Sequence, residues 1–563
     1  MHTPDMSAGQ DARIATLLTT FKTLADKEID MTKVITRDQA AQLVSDGDTV
    51  AFSSFGLSCL AEEVLIGVQE RFAAEQRPRN LTVVHAAGLG KRGDDTKGLN
   101  HWCAESLIKR YVGGIPTASS KLVELINGDK IEAWCYPQGV ISQLYREIAA
   151  KRPGIITRIG LGTFMDPRLE GGRMNSVSHD DLIEVVTIRG EEYLLYPSMP
   201  IDVGVIRGTY ADEHGNLTMT EESLKMEVLP IAQAAKNSGG IVIAQVKQVV
   251  KAGSLDPNLV KVPGILVDYL VVSEPENHMQ TENTQYNPSF SGQIKVPVES
   301  ASQPLDLSIR KVIARRAACE LTSGAVINLG IGIPVEIGGI TSEEGVSSQV
   351  IMTTEAGSIG GVPAGTKDFG HSYNVEAAVD MSAQFDFYDG GGLDLACLGM
   401  AETDRFGNVN VSKFGGRANG PGGFIDIAQT AKTLVFAGTF TSGGLRCDVS
   451  KGYLEILQEG RADKFVKNVE QVTYAGGMAQ RFNQRVLFVT ERAVLELING
   501  RLTVTEIAPG VDLDRDVLGH MAFTPKVSSC LKVMDEALFH ETWGGLRESL
   551  AKNSQKKHTA EAK

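Results

Sequence analysis

A chain of 563 residues is too long for one hydrophobic core, which stops growing near roughly 250–300 residues, so at least two domains are expected. With 42% apolar and 22% charged residues the composition is that of a folded globular protein and excludes a disordered chain. The 55 basic and 69 acidic side chains leave a formal net charge of −14, which argues against a broad nucleic-acid footprint but not against an anionic small molecule held at a local site.

Residues 1–30, beginning MHTPDMSAGQDAR, read as an N-terminal extension with neither the plan of a secretory signal nor that of a transit peptide. Seven scattered cysteines, never spaced C-x-x-C, argue against a disulfide framework or a zinc site. No apolar run approaches the roughly 18 residues of a membrane helix. A cytoplasmic protein without membrane attachment is expected. Glycine is over-represented, 59 in 563, as required where backbone turns sharply or closely approaches a ligand.

Along the chain, Thr36 to Gly47 has a short helical pattern closed by glycine, followed by the strand-like Asp48-Thr-Val-Ala-Phe52. Leu81-Thr-Val-Val-His-Ala-Ala-Gly88 is an apolar strand ending in a small-residue turn, and Ala211-Asp-Glu-His-Gly-Asn-Leu217 a later turn. Residues 274–292, rich in Asn, Pro, Ser and Gly, have the composition of a linker. The pattern then recurs. Ser308 caps a helix with apolar Ile309, Val312, Ile313, Ala317 and Leu321, Gly324 closes it, and Ala325 to Gly332 is strand and turn. Val350-Ile-Met-Thr-Thr-Glu-Ala-Gly357 matches 81–88, and Thr403-Asp-Arg-Phe-Gly-Asn-Val409 matches 211–217.

Four landmarks in the same order predict a duplicated fold of α/β class, two tandem related open α/β domains with mainly parallel sheets. The offset between matched glycines falls from 277 (Gly47 to Gly324) to 192 (Gly215 to Gly407), a difference of 85 extra residues in the first half. The expected division is residues 1–30 as extension, 31–275 as first half, 276–305 as linker, 306–550 as second half and 551–563 as tail.

The copies differ chemically at one strand end, with Ala86 in the first and Glu355 in the second. A carboxylate beyond the carboxyl end of a strand sits where open α/β sheets place ligand chemistry. An arbitrary loop-tip glutamate is more often a solvated charge, but here Gly330-Ile-Gly332, Gly357 to Gly361, Gly390-Gly-Gly392 and Gly420-Pro-Gly-Gly423 crowd the same hundred residues. Such turns expose N–H groups to phosphates or oxyanions, although each alone also fits a tight connection. No strict dinucleotide fingerprint, Walker A sequence, H-E-x-x-H or serine elbow accompanies them.

Six separated motifs, in order from about residue 33 to 550, give the chain its resemblance to the family I CoA-transferases. They are Tyr136-Pro-Gln-Gly139, Gly160 to Arg168, Thr353 to Gly365, Phe387 to Asp394, Gly407 to Ser412 and Gly420-Pro-Gly-Gly-Phe-Ile-Asp426. The likeness is to the single-chain acetate/propionate enzymes, with succinyl-CoA:3-ketoacid CoA-transferases as more distant relatives. The resemblance implies that Glu355 is the nucleophile that becomes a glutamyl-CoA thioester, and that Gln138 and the N–H of Gly423 hold the oxyanion, Gly422 shaping the turn. It implies that Gly330, Ile331, Gly332, Ile333 and Pro334 form the loop that approaches CoA. It further implies reversible CoA transfer from a short-chain acyl-CoA to a small carboxylate in a homo-oligomer, dimer or tetramer. CoA would be a co-substrate, with no permanently bound cofactor and no metal.

Pro421 and the N-terminal extension depart from the usual pattern. Secondary candidates are Glu402 for substrate positioning, Lys367 and Arg417 for the CoA phosphates, and Phe369 and Tyr388 for the acyl pocket; for each a structural or surface role is an equal or stronger reading. Thioester hydrolysis on the same scaffold, a 3-ketoacid-specific transferase and a non-catalytic CoA or nucleotide-binding protein are the alternatives.

Overall fold

The structure, a computed structural model, describes residues 32–297 and 304–561. The N-terminal extension and part of the expected linker lie outside the described residues.

In the first half five parallel strands, β1 (Thr49–Phe52), β2 (Leu81–His85), β3 (Val203–Asp212), β4 (Ile241–Val250) and β5 (Tyr269–Val272), stand side by side in the order β5-β4-β3-β1-β2. Helix α1 (Gln138–Ala149) lies between β2 and β3 in sequence, and α2 (Val228–Ser238) between β3 and β4. The second half repeats the plan with β6 (Val326–Leu329), β7 (Ile351–Thr353), β8 (Leu395–Leu398), β9 (Thr433–Ala437) and β10 (Arg485–Val489), ordered β10-β9-β8-β6-β7. Here α3 (Met381–Asp389) and α4 (Phe424–Thr430) take the places of α1 and α2.

Register carries the duplication to single residues. Thr49 pairs with Thr82 as Val326 pairs with Ile351, and Val50 pairs with Val203 as Ile327 pairs with Leu395. The strands read as near-continuous apolar runs because helices cover them; Val50, Ala51 and Phe52 are all fully buried. Two further parallel strands, Ile108–Gly113 and Glu132–Cys135, extend the first sheet beyond β2, and a three-stranded antiparallel sheet follows α1. All of these lie between β2 and β3, so this is where the first half is longer. Residues 546–561, part of which read as a tail, form a helix anchored by the buried Leu546 and Leu550.

The four helices form the layer between the halves. One face of α1 carries Val140, Ile141, Leu144 and Ile148 at helical spacing, all buried, each contributing about 1.5–3 kcal/mol relative to exposure. They belong to a single core that runs on through Ile231 of α2, Met381 and Phe385 of α3 and Ile427 of α4. The helix starts are locked reciprocally: Gln138 N–H donates to Gly422 O at 2.9 Å, and Met381 N–H donates to Met226 O at 3.2 Å. Gly422 and Met226 each stand two residues ahead of α4 and α2 and share left-handed backbone, φ 54° and 48°.

Candidate active site

The apolar strand β7 ends at Thr353, and the chain reverses in a turn where Thr354 N–H donates to Ser358 O and Gly357 N–H to Thr354 O. Gly357 has φ +106°, and a Cβ there would collide with Val379 O, so the turn requires glycine. This geometry holds Glu355 half-buried at the carboxyl end of the sheet. From the other half, α1 begins at Gln138, a fully buried side chain whose Nε2 lies 3.2 Å from Met381 Sδ. The Gly420-Pro-Gly-Gly423 turn closes the arrangement, Gly422 N–H donating to Gly114 O at 2.9 Å. A Cβ on Gly423 would stand 2.9 Å from Glu355 Oε2, and one on Gly422 3.7 Å from Gln138 Oε1. Glycine at 423 is therefore what lets the backbone reach the carboxylate.

Glu355, Gln138, Gly422 and Gly423 face a cavity of about 420 Å3 between the halves, which Gly330 and Ile331 also line. Gly332, Ile333 and Pro334 are not brought to this cavity. Ile333 is buried in the core of the second half, Pro334 is buried just ahead of helix Glu336–Glu343, and Gly332 has left-handed backbone, φ +92°, with open space where a Cβ would stand. Lys367 and Phe369 reach the cavity, whereas Arg417 does not line it. Tyr388 is fully buried beneath the site, sharing a 2.7 Å hydrogen bond with Thr353 Oγ1. Glu402 accepts from Asn410 Nδ2 at 2.8 Å and from Glu470 N–H at 2.9 Å, a structural arrangement.

Among the cavity residues outside the motifs, three add chemistry to the site. Arg92 opposes the burial of Glu355. Phe55 stacks on Phe369 across the halves, centroids 6.2 Å apart. His371 bridges Ser58 Oγ at 3.0 Å and Ser223 Oγ at 2.9 Å, and burial lowers its pKa to about 4, so it joins the halves as a neutral ring. Each lies in a stretch without periodicity, and only charge or ring character marked it in the sequence.

Burial pushes the Glu355 carboxyl from 4.5 up to about 7, with Arg92 acting the other way. A poorly solvated carboxylate is the more reactive nucleophile, and here it shares the cavity with Gln138 and Gly423, the residues at the amino ends of α1 and α4.

The sequence model described as coenzyme A transferase matches residues 34–273. The chain is 48% identical over 524 residues to a protein named caffeate CoA-transferase from Acetobacterium woodii, covering 92% of this chain and 99% of that one. It is 42% identical over 507 residues to the acetate CoA-transferase YdiF of Escherichia coli K12, covering 90% and 95%. Among solved structures, the apoenzyme of acyl-CoA transferase YdiF from Escherichia coli O157:H7 superposes with a TM-score of 0.87 at 40% identity, covering 92% of this chain and 97% of that one. With the duplicated fold and the site between its halves, this shows that the chain belongs to the coenzyme A transferase family and is a CoA-transferase.

Proposed function

We propose that the protein moves CoA reversibly from a short-chain acyl-CoA to a short-chain carboxylate through a thioester on Glu355. The observation that carries the reading is the half-buried Glu355 carboxyl, set against Gly423 in a cavity whose opposite wall supplies Gln138. Glu355 attacks the acyl-CoA carbonyl, the C–S bond breaks, and a mixed anhydride and CoA thiolate result. The thiolate then attacks the glutamyl carbonyl, releasing the first carboxylate and leaving the enzyme thioester. The acceptor acid reverses these steps. One thioester replaces another, so no ATP is consumed. Each tetrahedral intermediate carries an oxyanion, for which the Gln138 amide and the Gly423 N–H are the donors, each lowering the barrier by about 3 kcal/mol.

The solved thioester complex of the Escherichia coli O157:H7 acyl-CoA transferase YdiF with CoA, 40% identical to this chain with a TM-score of 0.86, supports the covalent route. Gly330 and Ile331 are the loop residues assigned to CoA, with Lys367 a candidate for its phosphates. The name of the Escherichia coli relative favours small acids, and that of the Acetobacterium woodii relative, together with the Phe55–Phe369 pair in the cavity, favours a planar aryl acid as a second reading. We further propose that the protein works in the cytoplasm as a homo-oligomer.

The test is initial rates with acetyl-CoA against propionate, butyrate, acetoacetate and an aryl propenoate. Parallel double-reciprocal lines are expected, together with CoA trapped on the peptide containing Glu355 when no acceptor is present, and neither label nor turnover in Glu355→Ala. Intersecting lines or an unlabelled, active Glu355→Ala overturn the reading. Rapid CoA release without acceptor makes the protein a thioesterase.

A further inference from the structure

The chemistry above leaves one buried acidic cluster unused. Asp426, in the first turn of α4, is fully buried, and neither of its carboxyl oxygens has a hydrogen-bond partner of good geometry. It lies against the start of α1: a Cβ on Gly139 would stand 2.5 Å from Asp426 Oδ1 and 2.6 Å from Phe385 Cδ1. Phe385 in turn approaches Gly423, where a Cβ would meet its Cζ at 3.1 Å and Glu355 Oε2 at 2.9 Å. One ring thus separates Asp426 from the reacting carboxyl, and its contact, Gly139, directly follows Gln138 in the chain.

Among the described residues no cation balances the cluster at its centre. Asp389, at the end of α3, accepts from Gln143 Nε2 of α1 at 2.8 Å, while its Oδ1 is buried without a partner. Arg146 of α1 is engaged at the surface by Asp386. Burial and the charges of Asp389 and Glu355 hold the Asp426 carboxyl well above the usual range, and the Gly139 N–H offsets only part of this. Asp426 is thus a neutral acid that adds no negative charge beside Glu355. The duplication isolates the feature. Ile231-Ala-Gln-Ala-Ala-Lys236 of α2 matches Ile427-Ala-Gln-Thr-Ala-Lys432, which begins in α4, and the residue before it is Pro230 in one and Asp426 in the other. Both α2 and α4 pack against the helix carrying Gln138, and of the two only α4 carries a carboxyl at this position, set against Gly139.

We infer that Asp426 is a positioning residue: its carboxyl, seated against the first turn of α1, fixes where Gln138 stands opposite Glu355. The inference rests on Gln138 as the oxyanion donor. A donor displaced by an ångström loses much of its effect, so the loss is bounded by that of removing the amide altogether.

The test uses the full chain and compares Asp426→Ala, Asp426→Asn, Gln138→Ala and the Gln138→Ala/Asp426→Ala double variant in transfer from acetyl-CoA to propionate. Asp426→Ala is expected to lower kcat roughly 10-fold with KM for acetyl-CoA within about twofold. The isosteric, uncharged Asp426→Asn should recover most of that loss. In the Gln138→Ala background the Asp426→Ala loss should vanish, because an absent donor cannot be misplaced. If Gln138→Ala leaves kcat unchanged, the oxyanion assignment falls. If Gln138→Ala lowers kcat but the two losses multiply, or Asp426→Ala loses thermal stability and no kcat, only the positioning role is overturned. Should Asp426→Ala not fold, Asp426→Ser replaces it throughout; misfolding of both makes the residue structural and overturns the inference.

Discussion

Glu355→Gln is expected to make the protein harder to unfold at alkaline pH and to change little at acid pH. Burial raises the folded-state pKa of Glu355 from 4.5 to about 7. The native state therefore keeps this proton over a range where the unfolded chain has lost it, and stability falls as pH rises through that range. Below 4.5 both states are protonated and the penalty is absent; above about 7 it is complete. At 1.36 kcal/mol per pH decade the full penalty is about 3 kcal/mol, or roughly 2 kcal/mol after allowance for solvent screening of a half-buried group. Glutamine keeps the shape without the charge and abolishes the pH-dependent part. Scanning calorimetry of both proteins without CoA, at pH 5 and pH 8.5, is the assay. A kilocalorie shifts the melting of a unit of 150–250 residues by about 2–4 °C, so a gain of several degrees is expected at pH 8.5 and only about a quarter of it at pH 5. Equal melting at pH 8.5, or the same gain at both pH values, would refute the claim that the site holds its carboxylate at a cost to the fold.

Other substitutions separate the roles at the site. Gln138→Ala should lower kcat roughly 10²-fold and leave CoA affinity unchanged; a folded variant that loses only CoA binding contradicts the oxyanion role. Arg92→Gln removes the cation that favours ionised Glu355, so the acid limb of the kcat/KM profile should move to higher pH, and a limb that stays in place removes Arg92 from the electrostatics of the site.

The duplication was legible in the sequence because sheet register is set locally. Landmark offsets of 277 at Gly47 and 192 at Gly215 reappear in the structure as Val50 with Ile327 and Val203 with Leu395 in equivalent pairs. Glu355 was visible as a carboxylate where the other copy has alanine, and the nearby glycines as turns. What the sequence could not supply was the depth of each residue in the turn after β6, where Ile331 stays at the cavity and Ile333 sinks into the core two residues later. Contacts across the halves were equally hidden. Phe55 with Phe369, and His371 with Ser58 and Ser223, join positions more than 140 residues apart through packing that no local pattern encodes.

The symmetry of the fold also explains why a second site should be silent. Where one side has Glu355, Gln138 and Gly423, the other has Ala86, Met381 and Glu227, with the same backbone lock between the start of α3 and Met226. It has no nucleophile and no amide donor. Glycine at 423 is demanded by the nearby Glu355 carboxylate; opposite Ala86 that constraint is lifted, and Glu227 occupies the position. Glu227 is fully buried, both its oxygens lack partners, and burial with the nearby Asp380 charge drives its pKa well above the carboxylate range. By the same linkage, the native state holds a proton that the unfolded chain releases, so this residue too costs stability as pH rises. Glu227→Gln should therefore raise the melting temperature more at pH 8.5 than at pH 5, as Glu355→Gln does, while kcat stays within about twofold of the parent, whereas Glu355→Gln abolishes turnover. Calorimetry at both pH values and one transfer assay decide the matter. A tenfold fall in kcat for Glu227→Gln at unchanged KM would mean that the mirrored position still takes part in the chemistry and that the chemistry is not confined to the Glu355 side.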